Sequence, residues 1–184
     1  MAEAISRPDT DGETVDRDDN DTDTAEQAAL PLLAAVIVSP AAHVAAVLDV
    51  LTPDDVRLLD PPTAVALTAA LDLARRGTDP AAVLVLDELY RTGQVRDDRR
   101  SRLTLWRLED AVTTYQPAER LRPLAAALAA QLLRIRGITA GEAIKSSYRA
   151  GTEDDAFATL RREGSAVRRI RDTVTALRGT GVSL

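Results

Sequence analysis

Apolar residues recur along most of this chain at the spacing of a helix face. In the first apolar segment the i, i+3, i+4, i+7 pattern is followed by Leu30, Leu33, Ala34 and Ile37. No segment alternates apolar and polar residues convincingly. The β-branched run at 83–86 is short and lies between an Asp-Pro helix start and a glycine, which favours a buried helix. The sequence therefore predicts an all-α fold.

Cap residues and glycines divide the chain into segments of helical length. A polar cap followed by proline predicts four helix starts, at Ser39-Pro40, Thr52-Pro53, Asp60-Pro61 and Asp79-Pro80. Glycine predicts helix ends at Gly77, Gly93 and Gly151. Two further helices are predicted, from Asp23 or Thr24 to Val38 and near 101–113, the second after a charged connector at 97–102. Short helices of this kind build a compact bundle.

The last third of the chain is predicted to form a long helical hairpin. Pro117 opens a helical segment that runs to about Tyr148 and is interrupted by Pro123. A final helix, capped by Thr152, runs to about Arg178, and a loop this short makes the two helices antiparallel. The predicted regions are a disordered acidic tail (1–23), a helical globular head (24–116), the helical hairpin (117–178) and a flexible C-terminal end (179–184).

Apolar stripes on both hairpin helices predict a surface for self-association. An isolated pair of helices cannot bury both of its flanks, so apolar area is left for a partner. A second copy of the chain is the simplest partner, because twofold pairing uses one patch twice. The alternative is that the arm folds back on its own head. The candidate self-association residues are Leu128, Leu132, Ile135, Phe157, Leu160, Val167, Ile170 and Val174.

Charge is divided unevenly along the chain. The formal net charge is −6, yet residues 1–26 contain ten acids and two bases, net −8, which leaves the remainder at net +2. The acidic segment is interpreted as a solubilising leader or as a mask over a basic surface. The last helix carries a basic strip that is either a contact for nucleic acid or simply its solvated side: Arg161, Arg162, Arg168, Arg169 and Arg171.

The sequence offers no residue set for catalysis or for a cofactor. It has no cysteine, and its sole histidine, His43, has no partner at metal-ligand spacing. Its one lysine, Lys145, follows Gly141 without the Gly-Lys-Ser/Thr ending of a phosphate-binding loop. We therefore expect a protein that is not an enzyme and has no metal and no cofactor.

Two features of the chain bear on its location. No run reaches 18 uninterrupted apolar residues, so no membrane span is expected. The acidic N-terminus lacks the basic and apolar regions of a secretory signal. A cytoplasmic protein is the prediction.

Four short phrases occur in order along the first half of the chain: Glu26-Gln27, then Leu51-Thr52-Pro53-Asp54-Asp55, then Arg76-Gly77 with Asp79-Pro80, and Leu86-x-x-Leu89-Tyr90-Arg91-x-Gly93. With the terminal hairpin, they resemble the N-terminal domain of the DnaB-type replicative DNA helicase over roughly residues 25–178. The Walker A loop of that family's ATPase motor does not occur in the chain. The resemblance implies a helical head with a hairpin, pairing of hairpins between subunits, and contact with primase.

The resemblance favours a non-catalytic protein-interaction module of DNA replication. Such a module would self-associate through the hairpin and dock a replicative helicase, a primase or a helicase loader. The alternative is a nucleic-acid-binding or regulatory protein that uses the basic last helix, with DNA as its partner. A third interpretation is that the chain is a piece of a longer helicase.

Overall fold

The structure, a computed structural model, describes residues 29–96 and 98–179. Within them the chain forms helices and no strand, so the fold is all-α, as the apolar pattern predicts. Three predicted features lie outside the described residues: the acidic tail 1–23, the start of the first helix at Asp23 or Thr24, and the C-terminal residues 180–184.

Six helices of up to 15 residues precede the hairpin in the described chain. They are α1 (29–36), α2 (Ala41–Leu48), α3 (Pro53–Val56), α4 (Pro61–Arg75), α5 (Ala82–Arg91) and α6 (Arg99–Thr113). A 3₁₀ turn, Ala118–Arg120, leads into the hairpin, which consists of α7 (Leu121–Ala150) and α8 (Glu153–Gly179).

Several helix ends lie where the cap residues predict them. Thr52 accepts a hydrogen bond from the backbone of Asp55 and donates its own backbone N–H to the Asp55 carboxylate, a complete capping box. The Asp60 carboxylate accepts the backbone N–H of Thr63 at 3.1 Å. Gly77 and Gly93 follow α4 and α5 with φ of 76° and 68°, the left-handed conformation that glycine adopts without strain.

The start of α2 differs from the prediction. The Ser39 hydroxyl donates to the Ala35 carbonyl at 2.7 Å, so it closes the preceding turn and does not cap α2. Instead the first backbone N–H of α2, that of Ala41, donates to the Asp79 carboxylate at 2.7 Å. Because Asp79 caps this distant helix, α5 begins later than Pro80, without a side-chain cap of its own. A cap from 38 residues away has no local sequence signal.

The predicted interruption of the long helix at Pro123 is wrong. Helix α7 runs without a break from Leu121 to Ala150, through Gly137 and Gly141. Pro123 lies in the first turn, where a backbone N–H has no partner within the helix, so its missing donor costs nothing.

The turn between α7 and α8 explains why a glycine ends the long helix. A Cβ on Gly151 would lie 2.8 Å from the Ser147 carbonyl oxygen, too close for any other residue. The next residue, Thr152, accepts the backbone N–H of Asp155 at 3.2 Å, and the Asp155 carboxylate accepts the Thr152 hydroxyl at 2.7 Å. This capping box starts α8 where the sequence predicts it.

The hydrophobic core is continuous between the head and the hairpin. Helix α4 lies at the centre of the head and packs against α2, α3, α5 and α6. The same buried cluster extends into α7 and α8 through Leu121, Leu128, Leu132, Ile170, Val174 and Leu177. The first part of α7 and the last part of α8 therefore form a base that is built into the head.

Candidate interaction surfaces

The base of the hairpin is covered by the chain itself. Four of the predicted self-association residues are buried there: Leu128, Leu132, Ile170 and Val174. Their side chains face the head and the paired helix, so a second copy cannot reach them without unfolding the core. At this end, the hairpin packs against its own head, which is the alternative to self-association that the sequence left open.

Polar contacts fasten α7 and α8 to each other and to the head at the same base. The Arg169 guanidinium lies 2.6 Å from the buried carboxylate of Asp55, which raises the pKa of Arg169. The Thr173 hydroxyl donates to the Val50 carbonyl at 3.4 Å. Arg122 of α7 donates to the carbonyls of the last turn of α8, at Ala176 and Leu177, both at 2.9 Å. Arg122 therefore joins the first turn of α7 to the last turn of α8.

Beyond the base, the hairpin continues as a distal arm, residues 136–168, with little buried surface. Its buried residues are Ala140, Ala156 and Glu163, and none of them belongs to the core cluster. Three of the remaining predicted self-association residues lie here, and the fourth, Ile135, packs against the core cluster at the edge of the base. Ile135 and Val167 are half-buried, Leu160 is 38% exposed and Phe157 is 58% exposed.

One side of α8 in the distal arm forms an apolar stripe, which we call the arm stripe: Phe157, Leu160, Gly164 and Val167. The i, i+3, i+7, i+10 spacing places these residues on one face of the helix. Gly164 is exposed, and a Cβ built there would meet no atom within 4 Å. Nothing in the described chain therefore requires a glycine at this position.

The basic strip of α8 is mostly engaged within the chain. Arg169 pairs with Asp55, Arg162 lies 3.1 Å from Glu163, and Arg171 lies 2.7 Å from Asp172. Arg161 and Arg168 are exposed and have no ion-pair partner among the described residues. The structure thus leaves two of the five arginines available for an anionic partner.

Two buried carboxylates were not singled out as site residues by sequence reasoning. Glu88 of α5 is held by Arg91 and by Arg76 at the end of α4, with the Arg76 Nη2 to Glu88 Oε2 distance at 2.9 Å. The hydrogen bond from Arg91, followed by that from Arg76, lowers the pKa of Glu88 to about 2 against the opposing effect of burial. Glu163, in the distal arm, lies 2.6 Å from Arg136 of α7. Both groups join helices and neither faces a reaction cavity.

A large cavity lies on the head, between the start of α4 and α6. It measures about 670 Å³, and its apolar lining comes from Pro61, Pro62, Leu103 and Trp106. Trp106, the only tryptophan of the chain, is 58% exposed. Arg107 lies 3.1 Å from the buried Asp60 on one wall. We refer to this cavity as the Trp106 groove.

A second groove on the head, between α5 and α6, is smaller and almost entirely apolar. It measures about 300 Å³ and includes the exposed Val83 and Val112, with Leu86, Leu105 and Leu108 behind them. We call it the α5–α6 groove. Side chains of this kind fit an apolar side chain of another helix and offer no group for chemistry.

The described residues offer no constellation for metal binding. They include no group of three histidine, cysteine or acidic side chains placed to hold a metal ion. Lys145 lies within helix α7, 3.3 Å from Glu142, so its backbone does not form a phosphate-binding loop. None of the described helices combines the length and the hydropathy needed to cross a bilayer.

Comparison with known proteins adds no assignment. No protein-family model, no curated protein and no solved structure matches this chain. The functional interpretation therefore depends on the surfaces described above and on the resemblance of the sequence phrases.

Proposed function

We propose that this chain is a non-catalytic protein-interaction module of DNA replication. It self-associates through the distal arm and docks a replicative helicase, a primase or a helicase loader through its head. The observation that carries this proposal is the arm stripe, an apolar face beyond the end of the core that the described chain covers only in part, with Phe157 58% exposed and Leu160 38% exposed. ATP hydrolysis would belong to a partner.

The arm stripe has the chemistry of a helix-pairing surface. Phe157 and Leu160 expose apolar area in the described chain, and full burial of such side chains is worth about 1.5–3 kcal/mol each. A twofold axis between two arms buries each residue twice. Pairing at the stripe therefore supplies several favourable contacts without any from the buried base.

Gly164 adds an independent reason for a helix partner at the stripe. A glycine inside a helix costs about 0.5–1 kcal/mol relative to alanine, and no neighbour in the described chain explains it. A second helix crossing the stripe at Gly164 would approach more closely than any side chain allows. The small residue lies between Leu160 and Val167, where such a crossing would occur.

The α5–α6 groove is the surface that we propose for the helicase, primase or loader. Its exposed valines, Val83 and Val112, lie on the head and not on the arm, so both surfaces can be occupied together. An amphipathic helix placed in a groove of this kind binds through apolar anchors spaced three and four residues apart.

Direct nucleic-acid binding is a second candidate, favoured by one observation. Arg161 and Arg168 lie seven residues apart on one face of α8 and have no carboxylate partner within the described chain. Two arginines provide a weak, salt-sensitive contact with phosphate. This candidate therefore ranks below protein interaction.

Self-association is tested by light scattering on a variant that carries Phe157→Asp and Leu160→Asp. Both positions are exposed, so the variant keeps its helical circular dichroism while its mass falls to that of one chain. Leu58→Asp, an exposed leucine on the head, is the matched control and keeps the wild-type mass. A wild-type protein with the mass of one chain, or an unchanged mass in the double variant, would contradict pairing at the stripe.

Glycine variants separate pairing from helix stability. Gly164→Ala and Gly137→Ala both add a methyl group to open helix positions, so both raise the free energy of unfolding at low protein concentration. Only Gly164→Ala weakens self-association, because its methyl group lies within the stripe. Equal dimer dissociation constants for the two variants would place the interface elsewhere.

Partner docking is tested by sedimentation with purified replicative helicase, primase and loader, each in turn. Val112→Asp abolishes the complex if the α5–α6 groove is the docking surface, whereas Leu58→Asp leaves it intact. Failure of all three proteins to bind the wild type would overturn the replication assignment. Salt-sensitive DNA binding that is lost in an Arg161→Ala, Arg168→Ala variant would favour the second candidate.

A further inference from the structure

The Trp106 groove has the exposed aromatic and apolar side chains of a binding site, and no other part of the described chain fills it. Tryptophan is costly to leave in water and is enriched at binding hot spots. Trp106 is nevertheless 58% exposed, and it lies beside the exposed Leu103 and two prolines in a cavity of about 670 Å³. An apolar side chain placed against Trp106 would cover this surface.

The N-terminal end of the groove carries an excess of positive charge, whereas the lining of the whole groove holds two arginines and two aspartates. Arg96, Arg99 and Arg102 are exposed and have no carboxylate within ion-pair distance among the described side chains. The Asp98 carboxylate caps α6 and accepts the backbone N–H of Ser101 at 2.7 Å, and no acidic residue follows it in the first turn of the helix. The groove therefore fits a segment in which acidic residues accompany an apolar side chain.

We propose that the Trp106 groove binds the chain's own acidic leader, residues 1–26. The leader lies outside the described residues, and its sequence has the chemistry that the groove requires. It has a net charge of −8, and its acids are interspersed with Ile5 and Val15. The rest of the chain is net +2, with many of its arginines paired internally, so the arginines at the start of α6 are a favourable place for this charge.

The length of the leader is sufficient for this contact. The aspartates at 16–23 lie 6 to 13 residues before α1, a span of about 20–43 Å when extended, whereas the longest helix of the head, with 15 residues, measures about 22 Å. Because the leader directly precedes α1, the tether keeps its effective concentration in the millimolar range. An intrinsic dissociation constant of about 1 mM is then enough to occupy the groove for much of the time.

A leader in this position would regulate access to the head. Each exposed ion pair is weak and is screened by salt, so the contact is reversible. A partner that presents a more acidic or more apolar segment would displace the leader. This effect is independent of pairing at the arm stripe, because the groove is built from α4 and α6 alone.

Trp106 itself provides the measurement, since it is the only tryptophan of the full-length protein. The probe is quenching of its fluorescence by acrylamide at low salt and at about 1 M salt, where the screening length falls to about 3 Å. In the wild type the quenching constant rises with salt as the leader is released. In a full-length variant with Asp16, Asp18, Asp19, Asp21 and Asp23 changed to Asn, the constant is high at low salt and no longer depends on salt.

Charge exchange identifies the surface that the leader contacts. Arg99→Glu with Arg102→Glu abolishes the salt dependence, and adding Asp→Arg changes at the same five leader positions restores it. The matched control is Arg161→Glu with Arg168→Glu on α8, which leaves the salt dependence unchanged. If the control variant abolishes it instead, the leader lies on α8 and the proposal is wrong.

Two other results would overturn the proposal. A wild-type quenching constant that does not change with salt would mean that no charged segment covers Trp106. A constant that falls as the protein concentration rises, and is insensitive to the leader substitutions, would mean that a second copy of the chain fills the groove.

Discussion

The base and the distal arm of the hairpin have similar sequences and different surroundings. Both carry apolar residues on one face of α7 and α8. At the base these residues join the core of the head, and Leu132 is 1% exposed. Six residues further along α7, on another side of the helix, Ile138 is 58% exposed. The change takes place where the head ends, with no break in either helix.

The difference shows what an amphipathic stripe can and cannot indicate. Its period identifies the face of a helix that avoids water. Whether another helix of the same chain covers that face depends on the tertiary arrangement of the helices. In this protein the side of α8 that is buried at the base stays buried along the arm, at Glu163 and Ala156, and the exposed Phe157 lies on the adjacent side of the helix.

The largest expected effect compares a buried position with an exposed one on α7. Leu132→Ala removes a side chain from the core and lowers the free energy of unfolding by about 2–5 kcal/mol. Ile138→Ala changes it by less than about 0.5 kcal/mol. Urea denaturation of both variants at low protein concentration provides the comparison. Similar costs would mean that the base and the arm are equally covered.

A smaller effect is expected at the ion pair inside the distal arm. Arg136→Met removes the 2.6 Å contact with the buried Glu163 and leaves only Arg162, at 3.1 Å, to satisfy that carboxylate. We expect a loss of about 1–3 kcal/mol, because an underpaired buried carboxylate keeps its desolvation cost. Arg134→Met, an exposed position on the same helix, is the control and changes the urea midpoint little. Equal midpoints for both variants would show that Glu163 is not buried in solution.

The last comparison between the head and the arm concerns the loss of stability in acidic solution. The pKa of Glu88 lies at about 2, below its usual 4.5, because Arg91 and Arg76 stabilise the charged form. Its contribution to stability is therefore present above pH 4.5 and is lost as the pH falls towards 2. Thermal unfolding at a series of pH values measures this loss.

The matched variants for this prediction are Glu88→Gln and Glu142→Gln. Glu88→Gln flattens the dependence of the melting temperature on pH between 4.5 and about 2. Glu142 forms only an exposed pair with Lys145 in the arm, so its replacement leaves the wild-type dependence in place. A wild-type profile that is flat in this window would contradict the ion pairing of Glu88.

Local sequence signals predicted the helices well, because capping chemistry operates over three or four residues. The capping boxes at Thr52 and Thr152 and the glycine stops at Gly77 and Gly93 all lie where expected. The errors arose where distant residues intervene or where position within a helix matters. Asp79 caps a helix 38 residues away. Pro123 is harmless because it lies in a first turn.

The candidate surfaces were less predictable than the helices. Leu128 and Phe157 are both large apolar residues of the hairpin helices, and only the fold shows that the first is buried and that the second is 58% exposed. In the sequence Arg169 belongs to a basic strip, but in the structure it donates a hydrogen bond to Asp55, 114 residues earlier. The role of Glu88 also depends on Arg76 from a neighbouring helix. Such pairings require the three-dimensional fold.

The contact of Arg122 with the last turn of α8 helps to determine the distance between the head and any partner that binds the arm. Three contacts fix the position of α8 along its length: Arg122 with its last turn, Asp55 with Arg169, and Arg136 with Glu163. Helix α8 cannot slide along α7 without breaking all three. Phe157 is 13 residues from Ile170, so it stands about 20 Å outside the core. The hairpin thus acts as a rigid spacer that would keep a partner bound near its tip at a fixed distance from the core of the head.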